Sequence, residues 1–260
     1  MLSFLRNRRR RRFLAEPFPQ HWLDILRRNV RLCGVLPSPQ QMQLRDKLRI
    51  FIAERYWEGA GGVAIDDEMR VTIAAHAALL ALNLPADIDW YRPVRTVIVH
   101  GESFLSVGRQ HGPGGVVSEG FANSGEAWHN GPVILSWNDV VWGGRNAMDG
   151  RNVALHEFAH VLDMADGVSD GTPPLRGSHI DGRRWHDTMT AEYRRLIDDA
   201  EFGHATLLDV YGATNVAEFF AVATEAFFER GEAMRAQHPD LYEVLREFYQ
   251  HDPASWRGTG

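Results

Sequence analysis

The pattern His156-Glu157-Phe158-Ala159-His160 constrains this chain more than any other feature. It lies inside a helical stretch, with Asn152-Val153-Ala154-Leu155 before it and Val161-Leu162-Asp163 after it. Side chains four apart on an α-helix sit one above the other on one face. Both imidazoles can therefore hold a single Zn²⁺, and Glu157 can reach a metal-bound water without being a ligand. Zinc lowers the pKa of such a water towards ~7 and polarises a carbonyl. Glu157 would take the water proton and later pass it to a leaving amine. With 12 His and 16 Glu in 260 residues, chance supplies such a pattern only about 0.03 times.

A catalytic zinc needs three protein ligands and one open position. The longer pattern that adds a third histidine on the same segment requires Gly at position 163 and His at position 166. Asp163 and Asp166 stand there, so the third ligand comes from a later element. The helix expected over about 216–229 offers Glu218, Glu225 and Glu229. Glu218 and Glu225 are seven apart and share a face, so one can be the ligand while the other supports it from behind. Spacing puts Glu218 first and leaves Glu225 open. Tyr211, seven residues before Glu218, is placed to donate a hydrogen bond to the oxyanion of a scissile carbonyl.

Periodicity predicts helices over about 21–36, 39–57, 66–84, 152–164, 182–199, 216–229 and 239–249. Ser38 is the expected cap of the second. The β-branched run Val94 to His100, Val116-Val117 and the segment Gly131 to Trp137 read as strands. The fold class expected is α+β, and the domain division follows from it. Residues 1–19 form a basic flexible arm, and residues 20–255 form one domain with a helical part at 20–90 and a catalytic part at 91–255. Residues 256–260 are a tail.

Charge is unevenly spread. The chain carries a formal −6, yet Arg6 and Arg8 to Arg12 crowd into seven positions. Clustered arginines can neutralise phosphates, but a solvated tail is the reading taken, with neither nucleic acid nor membrane expected as a partner. No apolar run is long enough to span a bilayer. No secretory signal follows the arginines, so a cytoplasmic location is expected. Cys33 is the only cysteine, which excludes an intrachain disulfide and a cysteine-based zinc finger. Gly59-Ala60-Gly61-Gly62-Val63-Ala64 follows a helix-like stretch, not a strand, so it is not read as a dinucleotide loop.

Three lesser expectations concern the site. Val133 to Ser136 is expected to be an edge strand that pairs with an extended substrate. Asp163 either orients a ligand imidazole or only ends the helix. His129, His179 and His186 are read as ordinary surface or core residues before substrate contacts.

Three separated segments together resemble the Mlc titration factor A family of bacterial zinc peptidases. They are the 156–163 stretch, Gly125-Glu126-Ala127-Trp128-His129-Asn130-Gly131-Pro132-Val133-Ile134-Leu135-Ser136-Trp137, and the run from Tyr211 to Phe228. The resemblance covers about residues 20–255 and leaves the arginine run outside. It implies a zincin-like fold, similar to the catalytic domain of anthrax lethal factor. It implies zinc on His156, His160 and Glu218, with Glu157 as catalytic residue and Tyr211 at the oxyanion. The implied activity is peptide hydrolysis by an aminopeptidase. A transcriptional repressor is the implied partner, so the alternative expectation is a regulatory protein that sequesters it. Val216 stands where the family pattern has Pro, a position in the first helical turn that Val also tolerates.

Overall fold

The computed structural model describes residues 2–102, 104–105, 110–111, 117–118, 122–123, 125–127, 131–176 and 180–256, with side chains at 8–102, 127, 131–176 and 180–256. Helices α1 (Leu2–Leu14), α2 (Gln20–Asn29), α3 (Arg31–Val35) and α4 (Ser38–Ala53) lead into strand β1 (Tyr56–Gly59) and helix α5 (Asp67–Leu80). Ser38 begins α4 and makes no side-chain cap. Asp66 does cap α5, accepting from the Met69 amide at 2.9 Å. Every residue of α5 from Val71 to Leu80 is buried, because α2, α4 and α7 pack around it. No helix among the described residues is long and apolar enough to cross a membrane.

Strand β2 (Thr96–His100) follows. The next short strands are β3 (Phe104–Leu105), β4 (Gln110–His111), β5 (Val117–Ser118) and β6 (Ala122–Asn123). They pair as β3 with β6 and β4 with β5, both antiparallel. Of the expected Val116-Val117 strand, Val117 lies in β5 and residue 116 lies outside the described residues. Strands β7 (Gly125–Ala127) and β8 (Val133–Ser136) complete a four-stranded sheet of order β1-β2-β8-β7. The first three strands run parallel, and β7 is antiparallel to β8. The architecture is therefore α+β, with the sheet small beside the helices.

The second half is helical. It comprises α6 (Trp137–Arg145), α7 (Val153–Asp163), α8 (Gly182–Phe202), α9 (Val216–Glu229), α10 (Gly231–Gln237) and α11 (Pro239–Tyr249). Two helices, α7 and α9, pack directly on each other. Phe158 projects from α7 into the core, where its ring lies 5.5 Å from those of Phe51 and Tyr91. Phe219, Phe220, Phe227 and Phe228 on α9 are all buried against aromatic rings of α8 and α11. Each such side chain contributes about 1.5–3 kcal/mol of burial. The helix pair that carries the chemistry is thus fixed from both outer faces.

Residues 2–14 of the expected flexible arm form α1, which packs on α4. Arg10 makes two 2.6 Å hydrogen bonds to Glu54, and Arg49 donates to the carbonyls of Phe13 and Glu16. The helix expected over about 39–57 ends at Ala53, and β1 follows it, because Tyr56–Gly59 aligns in register with residues 96–99 of β2. And β8 is not an edge strand, since β2 and β7 pair with its two sides. The edge beside α7 belongs to β7.

Candidate metal centre

Helix α7 starts at Asn152, whose side-chain oxygen caps it by accepting from the Leu155 amide at 3.1 Å. That start places His156 and His160 one turn apart on the face towards α9. Asn215 caps α9 in the same way, accepting from the amides of Ala217 and Glu218. Glu218 is therefore in the first turn of its helix and points at the two histidines.

The three side chains converge. His156 Nε2 lies 2.9 Å from Glu218 Oε2 and 3.2 Å from His160 Nε2. His160 Nε2 lies 3.3 Å from the same Glu218 oxygen. Zinc bonds of 2.0–2.2 Å in a tetrahedron would set donor atoms about 3.3–3.6 Å apart, so the set fits that ion with small shifts. Among the described residues this is the one cluster of three metal-binding side chains.

The proton arrangement points the same way. Glu225 Oε1 lies 2.7 Å from His156 Nδ1. A carboxylate only accepts, so Nδ1 carries the hydrogen and donates. In a neutral ring Nε2 then presents a lone pair to another acceptor, the Glu218 carboxylate. Positive charge must sit there, either as a second proton or as a cation. Burial works against charge on His156, yet the Glu225 carboxylate and the hydrogen bonds to Glu218 and Glu225 hold its pKa well above the usual value. Burial likewise opposes ionisation of Glu218, and the hydrogen bonds from His156 and His160 overcome it, holding that carboxyl well below the usual range.

Glu157 lies beside this triangle and outside it. It is buried, and burial lifts its carboxyl to about 7, with the charges of His156 and His160 working in the opposite direction. Tyr211 is 46% exposed, the most open of these side chains. Its ring centroid is 6.0 Å from that of His156. Burial, with the charges of Glu218 and Glu157, pushes the phenol pKa up, so it stays a donor. Asp209 holds the turn Val210–Ala213 by accepting from the Tyr211 amide at 2.9 Å. Gly212 packs under Leu196, Val222 and Phe219, and a Cβ there would lie 3.1 Å from Leu196 Cδ2, a tight contact.

Glu225 was an open alternative to Glu218 as ligand. The fold puts it on the Nδ1 side of His156, with its other oxygen accepting from the Asn152 amide. Asp163 was expected to hold a ligand ring or to end the helix. It is buried and binds the following loop, accepting from the Gly171 amide at 3.0 Å and from Ser169 Oγ at 3.4 Å. Gly171 has φ +73°, and a Cβ there would lie 2.4 Å from the Val216 carbonyl oxygen. The loop after α7 thus crosses the first turn of α9 where only glycine fits. His186 is exposed on α8; His129 and His179 lie outside the described residues. Cys33 is buried, and burial lifts its thiol to about 12, so it is no nucleophile.

Glu229, offered by the sequence with Glu218 and Glu225, lies away from the triangle, and its partner Asn152 escaped the sequence reading. Glu229 is buried and accepts from Asn152 Nδ2 at 2.9 Å and from the Gly150 amide at 3.1 Å. Asn152 is the common partner of Glu225 and Glu229. The available signal was the spacing of Glu225 and Glu229, four apart on one helical face.

Comparison with known proteins adds lineage to this geometry. The family model described as glucose-regulated metallo-peptidase M90 matches residues 4–250. The match includes the whole arginine run, which the resemblance had left outside. An uncharacterized protein of Synechocystis sp. is 37% identical over 248 residues, covering 94% of this chain and 89% of its own. Mlc titration factor A of Yersinia pestis is 28% identical over 238 residues, covering 89% and 84% respectively. The protein of that name in Yersinia pseudotuberculosis matches to the same extent.

Proposed function

Because this chain belongs to the glucose-regulated metallo-peptidase M90 family, we propose that it is a zinc-dependent peptidase of zincin-like fold and acts as an aminopeptidase. The observation that carries the reading is the triangle of His156, His160 and Glu218 with the buried Glu157 beside it. His156, His160 and Glu218 would hold the zinc. When bound, it supplies Lewis acidity that polarises the scissile carbonyl and acidifies water.

The chain's own residues do the rest. Glu157 takes a proton from the attacking water and delivers it to the leaving nitrogen as the C–N bond breaks. Tyr211 donates its phenol hydrogen to the oxyanion that develops on the carbonyl. Glu225 holds His156 in the tautomer whose Nε2 is free to bind metal. An extended peptide would add to the sheet at β7, its antiparallel edge strand among the described residues.

A second reading has its own support. Relatives over most of this chain carry the name Mlc titration factor A, which favours capture of a transcriptional repressor in the cytoplasm alongside or ahead of hydrolysis. One experiment separates the two. Zinc-loaded protein is given short peptides with free and with acetylated N-termini. Cleavage confined to free N-termini supports the aminopeptidase; cleavage of both makes it an endopeptidase. No cleavage of either, with zinc fully bound, shifts the function to repressor capture, which a Glu157→Gln variant would retain in a binding assay.

A further inference from the structure

Helix α9 carries three carboxylates on the face towards α7, namely Glu218, Glu225 and Glu229. Hydrolysis uses the first as ligand and the second as partner of His156. It leaves Glu229 unexplained. A buried carboxyl is costly unless its oxygens are satisfied, and here each oxygen faces one donor. Oε1 accepts from Asn152 Nδ2 at 2.9 Å, and Oε2 accepts from the Gly150 amide at 3.1 Å.

Asn152 is the hinge of this arrangement. Its backbone amide donates to Glu225, and its side-chain amide donates to Glu229. Its side-chain oxygen caps α7 through the Leu155 amide. One residue therefore donates to two of the three α9 carboxylates, Glu225 and Glu229, and starts the helix that bears both histidines. Gly150 beside it has φ +80°, and a Cβ there would lie 3.1 Å from Arg230 Cδ. Arg230 is tied in turn to the Leu207 carbonyl at 3.0 Å. The segment 150–152 is thus pinned between the two helices.

We infer that Glu229 is a positioning residue of the metal centre, acting through Asn152 to set the start of α7 against α9 and so the approach of His156 and His160 to Glu218. The inference rests on the zinc reading. A carboxyl, ionised or with its hydrogen turned away, keeps both oxygens able to accept, whereas a glutamine at 229 would keep the volume but set an NH₂ group, which cannot accept, against one of the two N–H donors. An alanine would remove both acceptors.

The test is zinc affinity, measured by competition with a chromophoric chelator on protein shown to be folded by circular dichroism. Glu229→Ala should weaken zinc binding about tenfold, the lower end for residues that support metal ligands. Glu229→Gln, nearly isosteric, carries the test if the alanine variant does not fold. Asn152→Ala should also weaken binding, and Glu229→Ala should add little on top of it, because the two act as one unit. Wild-type zinc affinity in the Glu229 variants, even with lowered melting temperature, overturns the inference. So does full additivity with Asn152→Ala. The zinc reading fails separately if the wild-type protein binds no zinc or if His156→Ala leaves binding unchanged, and the inference falls with it.

Discussion

Glu229 also makes a statement about pH. Burial lifts its carboxyl from 4.5 to about 8; the Asn152 hydrogen bond opposes this, and the charges of Glu225 and Asp149 reinforce it. Between those values the folded protein keeps a proton that the unfolded chain has released. Rising pH therefore favours unfolding across that window. Glu157, lifted to about 7, and Asp163, lifted to about 6, act with the same sign. The melting temperature of metal-free protein should fall from pH 5 to pH 8, and Glu229→Gln should flatten part of that slope. An unchanged slope in the variant would contradict the assignment. At this scale the sequence was readable where one helix carries the information. His156, Glu157 and His160 needed only the helical repeat. Glu218 and Glu225 did not separate, because residues seven apart share a face and only the second helix's depth decides which oxygen meets Nε2. Asn152 was visible as a helix start and not as the partner of two distant carboxylates.

Elements were legible where burial follows a local period. The helices α5, α7, α9 and α11 come close to their expected bounds because their apolar residues repeat at helical spacing. The sheet was harder. The strand β1 is four residues long with half-buried and exposed side chains alternating, and it continues the apolar pattern of α4 closely enough to read as its last turn. The strand β7 is Gly125–Ala127, too short and too poor in β-branched residues to announce itself. Without it β8 looked like an edge. Pairing across the chain supplies what local pattern lacks. The element that matters most is α7, and Phe158 anchors it. Phe158→Ala should destabilise the protein by about 3–5 kcal/mol in urea unfolding. A loss under 1 kcal/mol would mean that the Phe51, Tyr91 and Phe158 cluster does not hold this helix.

The whole molecule sets an acidic body against an arginine-rich first helix. That helix was illegible for a physical reason. Arginines lie on all its faces, so no apolar stripe marks a docking side. Docking comes instead from Arg10 on Glu54 and from Arg49 reaching the carbonyls that end α1. Glu54→Ala should loosen α1 and speed tryptic cleavage at residues 8–12, while zinc binding at the distant centre stays unchanged. Unaltered cleavage would show that the Arg10–Glu54 pair contributes nothing to docking.

The central claim is that Glu157 performs hydrolysis at a zinc held by His156, His160 and Glu218. The direct measurement is metal content and peptide cleavage together, on wild-type protein and on Glu157→Gln. The account predicts one zinc per chain in both proteins, with cleavage lowered at least about 100-fold in the variant. Equal cleavage by the two proteins, or loss of the zinc along with Glu157, would contradict it.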